Sequence, residues 1–224
     1  MTRNPIIWEP STARVQESAM YRFMREQGFG NYADMHRWSI DDAPAFWTAC
    51  CRVCDIAFDR AADAVLLRPD NIMDAGWFSG ARLNFAAHLL RHTGGGAALV
   101  FCGEDGTRRE ISRDELRIAV ARVASALRNT GIEKGDRVAG FLPNCPEAVI
   151  AMLATASIGA IWSSCSPDFG VNGVLDRFGQ IEPKLLFATN AYLYNGKICD
   201  TRATVASVAA AMPSLLKTVV VPFV

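Results

Sequence analysis

Between residues 138 and 189, short apolar runs alternate with helix-length segments, and this alternation restricts the chain to very few folds. Residues 138–142 read as a strand, and Pro146 then stands where the first turn of a helix tolerates proline. The alanine-rich stretch 147–158 reads as a crossover helix able to lie close to a sheet, and residues 161–164 as a strand parallel to the first. The spacing predicts a further helix over 171–181, stopped by Glu182-Pro183, and a buried strand over 184–189. A last strand over 215–221 ends before Pro222, which has no amide to give to a ladder. Strands joined by helices of this length make a parallel sheet with helices on its faces.

Upstream of this pattern, residues 97–102 and 108–111 read as a hairpin around Gly103-Glu104-Asp105-Gly106. Ser112-Arg113-Asp114-Glu115 forms a capping box. Leu116, Val120, Val123, Ala124 and Leu127 then share one face of a helix that Gly131 ends in left-handed backbone. The texture changes near Gly94-Gly95-Gly96. Before it lie three predicted helices, over 11–27, over 39–57 with Ser39 or Asp41 as cap, and over 83–92. The expected organisation is therefore α/β: a helical amino-terminal cap over residues 1–95, then the first part of a doubly wound, largely parallel sheet domain over 96–224.

Composition narrows the function. The 23 basic and 23 acidic residues are balanced in both parts, so no basic face offers itself to nucleic acid. Met1 to Pro10 lacks the apolar core of a secretory signal, and the longest apolar run, 148–162, is too short and too polar to span a membrane. Seven cysteines are too few for a disulfide scaffold and odd in number, which favours a reduced cytoplasm. Cys50, Cys51 and Cys54 lack a second ligand pair for zinc, and His88 and His92 lack the acid and third ligand of a metalloprotease helix. Gly94-Gly95-Gly96 precedes a strand rather than following one, so it reads as a linker and not as a phosphate loop. No Walker, dinucleotide or nucleophile-elbow motif occurs, and no catalytic residue is assigned.

Two loops carry the functional expectation. Ser163-Ser164-Cys165-Ser166-Pro167-Asp168 leaves the carboxyl end of a predicted strand, where open α/β sheets bind ligands. Its hydroxyls and amides can hold phosphate; on spacing alone the simpler reading is that Ser166 and Asp168 cap the following helix. Tyr192-Leu193-Tyr194-Asn195-Gly196-Lys197 offers an aromatic face, close backbone access and a cation, though its spacing equally suits a surface turn.

Several strings resemble one family. Trp77 to Ala86, Gly135 to Asn144 and Pro146 to Val149 are similar to the acyl-adenylate-forming acyl-CoA synthetases. Gly159 to Gly170 and Asp176 to Pro183 resemble the branch that takes acetoacetate, since the acetate branch carries a glycine pair where Pro167 and Asp168 stand. The likeness runs from Trp8-Glu9-Pro10-Ser11 to the Tyr192 loop. It implies attack of a carboxylate on the α-phosphate of ATP, then displacement of AMP by the thiol of coenzyme A, with Mg2+ as a cofactor of the whole enzyme. It also implies that Tyr194, Asn195, Gly196 and Lys197 contact coenzyme A, where relatives carry arginines at the positions of Tyr194 and Lys197, and that Ser166, Pro167 and Asp168 lie beside the same nucleotide.

The adenylation loop, the ribose-binding acid and the mobile carboxyl-terminal domain of that family are not among these residues. The resemblance thus implies an amino-terminal part that is inactive alone and needs no cofactor. Its rivals are a non-catalytic coenzyme A binding or assembly module and a piece of an acetyl- or propionyl-CoA synthetase. An exposed edge at residues 215–221 would favour a homodimer.

Overall fold

The computed structural model describes residues 6–68 and 70–224; Met1 to Pro5, the first half of the stretch without a secretory signal's core, and Pro69 lie outside the described residues. These residues divide into two compact units at Leu83/Asn84.

The first unit holds α1 (Thr12–Gln16), α2 (Ala19–Glu26), α3 (Tyr32–Asp41) and α4 (Ala43–Val53), then strands β1 (Ala64–Leu67) and β2 (Gly76–Ser79). The single helix expected over 11–27 is two helices, because Ser18 is extended (φ −71°, ψ 148°). Its hydroxyl donates to the Val15 carbonyl (2.7 Å) and accepts from the Tyr21 amide (3.1 Å), so one side chain closes α1 and opens α2. The helix expected over 39–57 likewise belongs to two elements. Ser39 lies inside α3 and Asp41 ends it, while Asp42 caps α4 through the Ala45 amide (3.1 Å), with Pro44 in the first turn. Phe23, Met24, Met35 and Ala49 form the buried centre, and the rings of Phe23 and Phe46 meet edge to face at 6.0 Å. The antiparallel pair β1 and β2 was not expected; at four residues each, these strands are too short to show alternation.

The second unit opens with α5 (Phe85–Leu89), a shorter helix than expected over 83–92, whose cap serves two elements. The Asn84 Oδ1 accepts from the Ala87 amide (2.9 Å), and its Nδ2 donates to the Ala156 (3.0 Å) and Ser157 (3.3 Å) carbonyls. Ala86 is fully buried in the core of this unit, and the glycine run 94–96 lies inside the same unit. The antiparallel hairpin β3 (Ala97–Cys102) and β4 (Arg108–Ser112) follows as a separate two-stranded sheet. The capping box at Ser112 and Glu115 opens α6 (Arg113–Asn129), which ends at Gly131 with φ +84°.

The central sheet is parallel, in the order β10-β7-β5-β6. Its strands are β5 (Arg137–Phe141), β6 (Ile161–Cys165), β7 (Leu185–Thr189) and β10 (Lys217–Val221). Between β5 and β6 runs α7 (Pro146–Ser157), and between β6 and β7 runs α8 (Val171–Phe178). After β7 come the strands β8 (Ala191–Tyr194) and β9 (Lys197–Asp200) and then α9 (Arg202–Ala211). Side-chain alternation sorts the helices onto two faces. Val138, Leu142, Leu185 and Phe187 pack with α6 and α7, whereas Ala139, Phe141, Leu186 and Ala188 pack with α8 and α9. Helices thus cover both faces of a parallel sheet. Among the described residues no helix is long and apolar enough to cross a membrane.

The loop expected over 192–197 is a hairpin, with Tyr194 directly opposite Lys197. Asn195 (φ 50°) and Gly196 (φ 72°) both take the left-handed backbone that a two-residue turn between twisted strands requires.

At the lower end of the sheet, Asp136 is buried and accepts from the Lys184 ammonium and the Glu133 amide, both at 2.8 Å. The Lys184 bond and then the Glu133 amide hold its carboxyl below the usual range, against the opposing effect of burial. A depressed carboxyl contributes stability above its unfolded pKa of about 3.9, and that contribution is lost as pH falls through the folded value. Asp136→Asn should therefore cost about 1–3 kcal/mol at pH 7 and flatten the loss of stability below pH ~4 in urea unfolding followed by circular dichroism. An unchanged acid slope would contradict the assignment.

Candidate functional site

Strand order reverses about β5. The chain leaves β5 for α7 on one face, then leaves the neighbouring strand β6 for α8 on the other. Connections that part to opposite faces leave a crevice at the carboxyl ends of the strands. A cleft of about 960 Å3 lies there, entirely within the second unit. Leu142-Pro143-Asn144 beyond β5, Ser164 to Asp168 at the end of β6, and Pro222-Phe223 beyond β10 all line it.

The β3–β4 hairpin supplies the facing wall. Phe101 and Arg109 stand opposite each other in its register. Phe101 meets the ring of Phe223 edge to face at 6.1 Å, and Arg109 Nη1 donates to Glu147 Oε1 in the first turn of α7 at 2.8 Å. Phe223 is itself held in place, since Asn190 Oδ1 accepts from its amide at 2.8 Å. Thr201 fixes the neighbouring backbone, because its hydroxyl donates to the Thr189 carbonyl at 2.6 Å.

Of the residues expected at a site, Ser166, Pro167, Asp168 and Tyr194 line this cleft together. Asn195, Gly196 and Lys197 form the hairpin turn and the start of β9 and are not part of its walls. The left-handed backbone at Gly196 is explained by that turn. The capping role for Ser166 and Asp168 does not hold. Gly170 is the N-cap of α8, and no side chain caps the amides of its first turn. With no helix to cap, the Asp168 carboxylate faces the cleft as a charge.

Arg177 steadies the entry to α8, lying 3.9 Å from the ring centre of Phe169 while donating to the Gly173 carbonyl at 2.8 Å. Burial pushes the Cys165 thiol up to about 11, with Asp168 adding to the rise and Arg177 opposing it. The Tyr192 phenol is also raised, by burial first, then by its bond to Cys199 and the nearby Asp168. Neither group is set up as a nucleophile near neutral pH; both are held neutral in the wall. Sequence reasoning missed Arg109, Phe101 and Phe223, because contacts between residues so far apart along the chain leave no local signature.

The AMP-binding enzyme family model matches residues 86–223, and the model for the acetyl-coenzyme A synthetase N-terminus matches residues 32–89. An acetoacetyl-coenzyme A synthetase of Rhizobium meliloti (strain 1021) is 47% identical over 223 residues, which are 97% of this chain and 34% of that protein. An acetoacetyl-CoA synthetase of Macaca fascicularis is 43% identical over 98% of this chain and 34% of its own length. The solved structure of an acetoacetyl-CoA synthetase from Streptomyces lividans superposes with a TM-score of 0.90 at 40% identity, covering 96% of this chain and 35% of that one. This chain therefore spans about a third of the length of the relatives it matches.

The high pKa of Cys165 sets a reactivity order. At pH 8 its thiolate fraction, and with it alkylation by iodoacetamide, should run about a hundredfold below that of an ordinary thiol. The exposed Cys102 should be modified first in a mass-spectrometric time course, and Asp168→Asn should speed modification of Cys165. Equal rates at Cys102 and Cys165 would show that the wall is open.

Proposed function

The chain belongs to the AMP-binding enzyme family, and from that premise we propose that it forms the amino-terminal part of an AMP-forming acetoacetate–CoA ligase. The observation that carries the reading is similarity to acetoacetyl-CoA synthetases along almost the whole chain. The cleft at the reversal of strand order supports it, because such crevices take nucleotide-type ligands. In this reading the whole enzyme joins acetoacetate to ATP with loss of pyrophosphate, and coenzyme A then displaces AMP.

The contribution of these residues is binding and orientation. Tyr194 is exposed and offers its ring for stacking, and Lys197, its partner across the hairpin, offers an ammonium to coenzyme A phosphate. Ser166 and Pro167 border the same ligand. Asp168 repels phosphate and turns it toward that ammonium. ATP, Mg2+ and coenzyme A are the cofactors of the whole ligase. Among the described residues no three His, Cys, Asp or Glu side chains gather to hold a metal. Seven cysteines, none in a disulfide among the described residues, accord with a cytoplasmic setting.

A second reading keeps only coenzyme A binding, and it is favoured by a cleft built wholly within one unit. A piece of an acetyl- or propionyl-CoA synthetase is a weaker reading, given Pro167-Asp168 in place of a glycine pair.

Supplied with acetoacetate, ATP, Mg2+ and coenzyme A, the 224-residue chain should release no AMP above buffer. A hybrid in which it replaces the matched third of the Rhizobium relative should form AMP with acetoacetate at least about tenfold faster than with acetate. Turnover by the chain alone, or a hybrid that prefers acetate, would refute the reading.

We also infer a homodimer through β10. Among the described residues no strand pairs with its outer edge, and Val220 on it is half exposed beside an apolar groove formed with α9. Light scattering should give about twice the 24.4 kDa chain mass, and Val220→Lys should restore the monomer. A monodisperse wild-type monomer would refute it.

A further inference from the structure

The charges lining the cleft are unequal. Glu104, Asp105, Glu147 and Asp168 line it, and Arg109 is the one cationic side chain among its described lining residues. Two of the carboxylates are already engaged. Asp105 accepts from the Thr107 amide (2.9 Å) and hydroxyl (2.8 Å) within its own turn, and Glu147 accepts from Arg109. Glu104 and Asp168 present negative charge to any anion that enters. A phosphate in this cleft therefore finds in Arg109 the one opposite charge among several like ones.

Arg109 is placed to receive one. It sits mid-strand in β4, and the Phe101–Phe223 contact draws the same face of the hairpin toward the sheet. Its Nη1 is anchored on Glu147, which leaves Nε and Nη2 without partners among the described residues. A guanidinium held on one side by a carboxylate retains a second edge whose two parallel donors match two phosphate oxygens. The side chain is about half exposed, so an incoming phosphate need not strip it of all its water.

We propose that Arg109 is the phosphate-recognising side chain of this cleft, oriented by Glu147 and selecting ligands that carry a phosphoryl group. The assignment rests on the ligase reading, which supplies two phosphate-bearing ligands, coenzyme A and ATP. It separates two cationic positions: Lys197 at the hairpin outside the cleft walls, and Arg109 within them.

Calorimetry on the 224-residue chain tests it, with coenzyme A, dephospho-coenzyme A, ATP and pantetheine as separate probes. Arg109→Ala should weaken the phosphate-bearing ligand by about tenfold or more, Arg109→Lys should weaken it less, and pantetheine should be indifferent to both. Raising salt from about 50 to 300 mM should weaken wild-type binding more than that of Arg109→Ala. Thermal melting checks that the variants are folded. A loss confined to coenzyme A over its dephospho form places Arg109 on the terminal phosphate, and a loss confined to ATP makes the nucleotide the source. Equal affinities in wild type and Arg109→Ala, or no binding of any phosphate-bearing probe to wild type, overturn the assignment. A hybrid that forms no AMP overturns the ligase reading instead, and the binding comparison stands apart from that result.

Discussion

The second unit depends on strand β5 being paired on both edges and covered on both faces. That arrangement leaves little room, and Gly140 resolves it. A methyl group at Gly140 would fall 2.5 Å from Cζ2 of Trp162, so the missing side chain lets the indole of β6 lie across the middle of β5. Trp162 then reaches toward Phe187 of β7, with ring centres 6.2 Å apart, and three adjacent strands share one aromatic contact. Because β6 and β7 flank β5, the order of strands reverses there, and the reversal opens the cleft. The glycine thus settles how the sheet packs at the strand about which the cleft opens.

Much of this was legible because the parallel strands are apolar and their crossovers are punctuated. The capping box at Ser112, Pro146 at the start of α7 and Glu182-Pro183 before β7 each follow from local chemistry, and each element begins or ends close to where that chemistry puts it. The failures have local causes as well. Ser18 and Asp42 divide helices that apolar periodicity had joined, because a capping hydroxyl or carboxylate can interrupt a helix without disturbing its apolar spacing. The Asn195-Gly196 pair is a hairpin signal, but the same two residues equally suit a ligand-contact loop until the pairing of β8 with β9 is seen. Helix α9, rich in alanine and weakly amphipathic, offered no periodic face to recognise.

The candidate site divides along the same line. Ser166, Pro167, Asp168 and Tyr194 could be singled out because they follow strands, and position after a strand is a one-dimensional property. Arg109 could not, since its meaning depends on Glu147, 38 residues away, and on a hairpin outside the parallel sheet. The capping alternative for Asp168 could be decided only by seeing that Gly170 opens α8 unaided. Removing that alternative changes the site, because a carboxylate that bonds no helix amide is left to line the cleft.

That carboxylate bears on how the cleft would orient a ligand. A phosphate-bearing ligand entering it would meet the carboxylates of Glu104 and Asp168 and the Arg109 guanidinium, which Glu147 holds on one side. Attraction at one point with repulsion around it fixes orientation more sharply than a uniformly basic surface would, since every misplaced pose adds a like-charge contact. The Cys165 thiol and Tyr192 phenol, both raised by burial, add no charge of their own near neutrality. The wall is therefore polar without being reactive. Such a surface suits holding a ligand at a set angle for chemistry performed by groups it does not itself contain.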